Sequence, residues 1–214
     1  LLVVPEQIHV VSPGDCITSI AVEYGFDWNT IWNYSANAAL KALRKNPNVL
    51  LEGDEVVIPA KHLRETSKST DQTHKFERKG AMAKIRFCLR AYGKPRPGVQ
   101  YHLIVEGDTY EGKTDANGYI SQFVPPKATR GELVLFTEKK TEKYFIMLGH
   151  LDPITELRGV QQRLKNLECQ CEVTGEMDEA TLEAIAMFES KYDIPGKGEL
   201  DEALRQRILQ EHGG

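Results

Sequence analysis

Between residues 9 and 59 the character of the chain changes from strand to helix and back, and few small folds accommodate that order of signals. His9-Val10-Val11 is a short β-type run, and Ser12-Pro13-Gly14 turns the chain. Asp15 is predicted to cap a helix, its carboxylate accepting from free backbone amides. Ile17, Ile20, Ala21 and Tyr24 follow at i, i+3, i+4 and i+7, one apolar helical face that Gly25 ends. Asp27 is predicted to cap a second helix carrying Trp28, Ile31 and Trp32. A further helical stretch with Ala39, Leu40 and Leu43 stops before Pro47, and the β-branched run Glu55–Ile58 closes at Pro59. The predicted order is strand, helix, helix, strand.

At 214 residues the chain has room for two or three units, each of roughly 50–80 residues. A formal net charge of −4 excludes the broadly basic face that nucleic-acid binding needs. No apolar run approaches the ~18 residues of a membrane helix, so membrane insertion is not expected. The opening Leu1-Leu2-Val3-Val4 is too short for a signal-peptide core and lacks a basic flank. The four cysteines, Cys16, Cys88, Cys169 and Cys171, make neither a disulfide framework nor a paired Cys-x-x-Cys zinc spacing, and are read as free thiols.

The pattern in residues 8–60 resembles the LysM module. It is carried by His9-x-Val11-x-x-Gly14-Asp15, Ser19-Ile20-Ala21 with Tyr24-Gly25, Trp28-x-x-Ile31-Trp32, Asn37, Asn46-Pro47-Asn48-x-Leu50-x-x-Gly53-Asp54 and Ile58-Pro59. The resemblance implies binding of N-acetylglucosamine chains, in peptidoglycan or chitin, in a shallow groove between two loops. On this chain the loops are residues 14–17 and 49–52, and the expected glycan-binding residues are Gly14, Asp15, Cys16, Ile17, Val49, Leu50 and Leu51. Loop amides and carbonyls are expected to pair with acetamido groups, while Ile17, Val49 and Leu50 offer apolar contact to the acetyl methyl. Cys16 stands where the family often has Thr or Ser.

Residues 61–80 are polar and lack a hydrophobic period, which predicts a linker. Within it Phe76 is expected to dock on the following segment, and His62 and His74 are read as solvated. From 81 to 150 the period is two. Ile85, Phe87 and Leu89, then Tyr101, Leu103 and Val105, then 119–124, 133–136 and 144–148 read as short strands of an antiparallel β-sandwich. Asn117-Gly118 is the strongest hairpin signal. Gly93-Lys94-Pro95-x-Pro97-Gly98-Val99 with Gly112-x-Thr114-Asp115-x-Asn117-Gly118-Tyr119-Ile120 resembles transthyretin-like and carboxypeptidase-regulatory-like sandwiches, which implies a spacer or docking platform. Asp108 and Asp115 are read as turn residues.

Residues 151–214 predict three helices, carrying Leu157, Val160, Leu164 and Leu167, then Leu182, Ile185, Phe188 and Tyr192 after Asp178, then Leu204 and Ile208 after Asp201. Gly175-Glu176-Met177-Asp178-Glu179-Ala180 is echoed by Gly198-Glu199-Leu200-Asp201-Glu202-Ala203. Leu157-x-x-Val160-Gln161-x-x-Leu164-x-x-Leu167, Thr181-x-x-Ala184-Ile185-x-x-Phe188 and the second copy of the echo resemble the three-helix peptidoglycan-binding domain. A ligand groove is then expected near residues 173–178 and Glu189, which stands where Gln often follows the Phe. Cys169-x-Cys171 supplies too few ligands for a metal.

No catalytic constellation is evident. The six histidines are scattered, and His150 with Asp152 is the one local pair, read as a structural hydrogen bond at a domain joint. The expected fold class is α+β multidomain: a βααβ LysM module, an antiparallel β-sandwich and a three-helix peptidoglycan-binding bundle. The expected function is non-enzymatic peptidoglycan binding, without metal or cofactor, by two wall-binding modules that the sandwich holds apart. The alternative is an accessory or adaptor of a contractile injection apparatus, such as a type VI secretion spike, gripping spike or baseplate proteins. The expected location is correspondingly open: cell envelope or periplasm, or cytoplasm before export.

Overall fold

The computed structural model describes residues 3–62, 73, 82–138, 140–196 and 198–212. The protein is α+β, with helices and antiparallel sheets. It divides into two compact units, residues 1–83 and 84–214. Among the described residues no helix is long and apolar enough to cross a membrane.

The first unit runs β1 (Val3–Val4), β2 (Gln7–Val10), α1 (Ile17–Tyr24), α2 (Trp28–Trp32), a short 3-10 turn (Ser35–Asn37), α3 (Ala38–Arg44), β3 (Glu55–Ile58) and β4 (Lys61–His62). β2 and β3 pair antiparallel, and Val56 and Ile58 of β3, with Val11 just after β2, join the apolar face of α1 in a core that also holds Ile17, Ile20, Ala21, Ile31, Trp32 and Leu50. The start of the predicted linker is structured: Lys61 and His62 pair with Val4 and Val3. His74, Phe76 and most of that linker lie outside the described residues.

Asn37 ties helix to sheet. Its amide nitrogen donates to the Ile31 and Val57 carbonyls at 2.9 and 2.8 Å, and its oxygen accepts from the Val57 amide at 2.8 Å. The side chain thus fills the place of a third strand along β3, leaving no buried polar group there unmatched.

The second unit begins with β5 (Ala83–Cys88, overlapping the boundary), β6 (Arg90–Ala91), β7 (Lys94–Pro95), β8 (Gln100–Val105), β9 (Asp108–Lys113), β10 (Tyr119–Val124), β11 (Arg130–Phe136) and β12 (Thr141–Met147). Four strands form one antiparallel sheet in the order β12-β11-β8-β9, and β10 pairs with β5. Tyr101, Leu103, Val105, Leu133 and Leu135 from the first sheet pack with Ile120, Val124, Ile85 and Phe87 from the second. The β9 strand escapes an apolar reading because its outward residues are polar. Inward, Gly112 leaves room for a neighbour, since a Cβ there would lie 2.6 Å from the Tyr101 hydroxyl.

Asn117-Gly118 does not make a hairpin between paired neighbours. The Asp115 carboxylate accepts from the Asn117 and Tyr119 amides, both at 2.8 Å, so the turn closes on itself and leads from β9 to the other sheet. The two-residue hairpins are at Tyr92-Gly93 and Glu106-Gly107, where all four residues take the positive φ such turns require.

Three helices complete this unit: α4 (Leu157–Asn166), α5 (Glu179–Lys191) and α6 (Glu202–His212). Asp178 and Asp201 cap α5 and α6 by accepting from the Thr181 and Leu204 amides, both at 2.8 Å. The echoed sequence is therefore a repeated turn and cap. The fully buried Arg163 donates to the Asp152 and Gly159 carbonyls, both at 2.8 Å, and burial lowers its pKa to about 10, so it stays charged at neutral pH. Among the polar residues Gln161, Gln162 and Lys165 of α4, it gives no sign of this in sequence. Gly159 lets α4 lie against the preceding chain, because a Cβ there would stand 2.0 Å from the Pro153 carbonyl oxygen. Gly159→Ala is expected to lower the stability of the second unit by about 3 kcal/mol; a denaturant melt unchanged from the wild type would contradict this packing.

The Arg90 guanidinium joins the strands to the helices, donating to the Tyr192 hydroxyl at 3.2 Å and the Glu211 carbonyl at 2.9 Å. Close by, His212 sits with Nε2 3.1 Å from the Asn166 amide nitrogen, which can only donate, and with Nδ1 buried. Burial, then Arg163 and Arg90, push its pKa down to about 4 from 6.5. The folded state therefore favours the neutral ring. The stability this provides is complete above pH 6.5 and is lost as pH falls toward 4. Its amplitude is about 3 kcal/mol. His212→Gln is expected to flatten that part of the stability profile, and an unaltered slope would refute it.

Candidate functional site

The first of the two loops expected to form a groove is tied to the turn just ahead of the second by one backbone hydrogen bond, from the Ile17 amide to the Pro47 carbonyl at 2.9 Å. Each loop is braced from behind. On the first, the Asp15 carboxylate accepts from the Ser12 amide at 3.0 Å and the Ser19 hydroxyl at 3.3 Å, and contacts His9 Nε2 at 3.2 Å. His9 Nδ1 in turn lies 3.1 Å from the Tyr24 hydroxyl. Asp15 is therefore not the cap of α1. Cys16 is: its thiol accepts from the Ser19 amide at 3.4 Å while the Ser19 hydroxyl accepts from the Cys16 amide at 2.9 Å, a reciprocal capping box. The thiol is buried at the helix start.

On the second loop, Asp54 accepts from the Leu51 amide at 2.9 Å and holds Arg44 through two bonds of 2.8 Å. The pair is nearly buried, with side-chain exposures of 5% and 10%. It fastens the C-terminal end of α3 to the turn that presents Val49 and Leu51.

Of the seven expected glycan-binding residues, Ile17, Leu50 and Cys16 are buried at 0%, 7% and 8% exposure. The side chains of Ile17 and Leu50 belong to the hydrophobic core and cannot give the apolar contact expected of them, because the strand-to-helix turn needs core anchors on both sides. Gly14, Asp15, Val49 and Leu51 are partly accessible along the seam. The expected amide donors are also mostly spent: those of Asp15, Ile17, Val49 and Leu51 donate to Ser12, Pro47, Asn46 and Asp54. Carbonyl oxygens keep a second lone pair, so the seam can accept hydrogen bonds more readily than donate them.

In the second unit, the turn at 174–178 is organised from beneath by the buried Gln161. Its nitrogen donates to the Thr174 and Thr181 hydroxyls and the Glu176 carbonyl, and its oxygen accepts from the Gly175 amide, all within 3.1 Å. The turn thereby satisfies its own polar groups. A cleft of about 570 Å³ lies elsewhere on the bundle, lined by Glu189, Tyr192, Ile194, Pro195, Leu204 and Arg207 among others. Glu189, Tyr192 and Leu204 stand out in the sequence, the last two as apolar helix positions, and Arg207 lies on α6; Ile194 and Pro195 come from the loop after α5, which carries no periodic signal.

Cys169 and Cys171 are buried thiols in the helical core, and burial raises the pKa of both. Among the described residues no group of three or more His, Cys, Asp or Glu could hold a metal. Asp152 is bonded to Arg158 at 3.1 Å and Gln162 at 3.3 Å rather than to His150. Comparison with family models, curated proteins and solved structures finds no significant match to the chain.

The Arg44–Asp54 pair sets the second loop. Asp54→Ala is expected to cost the first unit about 3 kcal/mol by leaving a buried cation without its carboxylate. Tryptophan fluorescence reads this directly, since Trp28 and Trp32 are the only tryptophans and both lie in that unit. A melting transition equal to the wild type would contradict the role given to the pair.

Proposed function

We propose that the chain is a non-enzymatic cell-wall-binding protein whose first unit is a LysM-type module that takes N-acetylglucosamine chains along the seam between its two loops. The observation that carries the reading is the junction at Ile17 and Pro47, which sets Gly14 and Asp15 on one side of a seam and Val49 and Leu51 on the other. Carbonyl oxygens of these loops accept from acetamido N–H and sugar hydroxyl groups, and Val49 and Leu51 contact the acetyl methyl. In this reading the helical bundle is a second, peptidoglycan-binding module. Two weak sites on one chain raise avidity through effective concentration.

A second reading, an adaptor of a contractile injection apparatus such as a type VI secretion spike, draws support from the burial of three expected sugar contacts and from exposed Ile8 and Val10 on β2, 59% and 57% accessible. Such apolar surface suits a protein partner.

Co-sedimentation with purified sacculi separates the two. Gly14 has φ 90°, so any replacement there perturbs the backbone, and Val49→Arg with Leu51→Glu is the cleaner probe. The double variant is expected to weaken sacculus binding about tenfold, equivalent to about 1.4 kcal/mol, with its melting transition retained. Binding that does not change would remove the seam as the site, and recovery of spike or baseplate proteins without sacculus binding would favour the adaptor.

A further inference from the structure

The open edge of the four-stranded sheet presents β12, whose outer side chains Phe145 and Met147 are 88% and 70% exposed. The phase of the β11–β12 ladder is fixed at its ends by bonds from the Thr137 amide to the Lys140 carbonyl, 3.1 Å, and from the Leu148 amide to the Thr129 carbonyl, 2.9 Å. The register between them is unbroken, from Arg130 opposite Met147 to Phe136 opposite Thr141. Residues of an antiparallel strand direct their polar backbone groups alternately to either side. Glu142, Tyr144 and Ile146 therefore bond toward β11, while Thr141, Lys143, Phe145 and Met147 turn their N–H and C=O outward.

The opposite edge is of another kind. β9 carries Asp108, Glu111 and Lys113, all exposed, and no exposed large apolar side chain. Charged residues of this sort keep strand edges from pairing. On β12 the only outward charge is Lys143, held 3.1 Å from Glu132 on β11.

We propose that β12 pairs antiparallel with β12 of a second copy of this chain about a two-fold axis at Tyr144, joining two sheets into one of eight strands. That axis opposes Lys143 of each copy to Phe145 of the other in hydrogen-bonded pairs, both using outward backbone groups. It sets each ammonium beside an exposed ring whose neighbour on β11 is Glu132, so cation–π and charge complementarity act together. A two-fold closes the assembly, because the β12 edge of each copy is used once. Pairing with β9 of a neighbour would instead run open-ended and meet its charges.

The full chain is expected to rise toward twice its monomer mass in sedimentation equilibrium as concentration increases. Phe145→Pro removes one outward N–H and leaves every bond to β11 in place, and Phe145→Lys sets cations against one another. Both are expected to abolish the mass increase while retaining the wild-type melting transition. In a Cys88→Ser background, Tyr144→Cys is expected to cross-link the dimer through a disulfide on the axis. A wild-type chain that stays monomeric throughout, including one that takes up an extended segment of another protein instead, overturns the proposal. So does a dimer that survives both Phe145 variants, or one that forms no Tyr144→Cys cross-link.

Discussion

The seam in the first unit exists because the Ile17 amide reaches the Pro47 carbonyl and because two carboxylates hold the loops on either side of that bond. Asp15 gathers His9, Ser12 and Ser19, and Asp54 gathers Arg44 and Leu51. Loops so braced need not be ordered by a ligand, which lowers the entropic penalty of binding. The same bracing limits what they can offer. Core anchors face inward and most loop amides already have acceptors, so the proposed recognition would fall to carbonyls and to the partly exposed Asp15, Val49 and Leu51.

Sequence periodicity located the helices well, because each has an apolar face with an identifiable start or stop. Asp27, Asp178 and Asp201 cap as their positions suggest, and Gly25 ends α1 in the left-handed conformation. Asp15 misled because a carboxylate before a helix has other acceptable partners. A basic side chain within reach, here His9, is visible only in three dimensions. The hairpins misled for a similar reason: Asn-Gly is the better pattern locally, but Asp115 diverts it, while Glu106-Gly107 lies between strands whose pairing sets the turn. Candidate site residues were legible as a loop pair. Which of them point outward was not, since burial depends on what the loops pack against.

Buried polar groups do much of the organising in the second unit. Gln161 holds a turn, Arg163 holds the approach to α4, and Arg90 holds strands to helices. Each saturates carbonyls or hydroxyls that would otherwise lose hydrogen bonds on burial. The strands from β6 to β12 and the three helices that follow lie in one compact unit. The dimer proposed through β12 leaves these contacts intact, since it uses only the outward groups of an edge strand.

The account stands on sugar recognition along the Ile17–Pro47 seam, and amide-resolved NMR during titration with N-acetylglucosamine oligomers tests it most directly. The expected result is saturable shifts that centre on Gly14, Asp15, Val49 and Leu51 and grow with oligomer length. Oligomers that move no signals, or that shift only residues away from both loops, would contradict it.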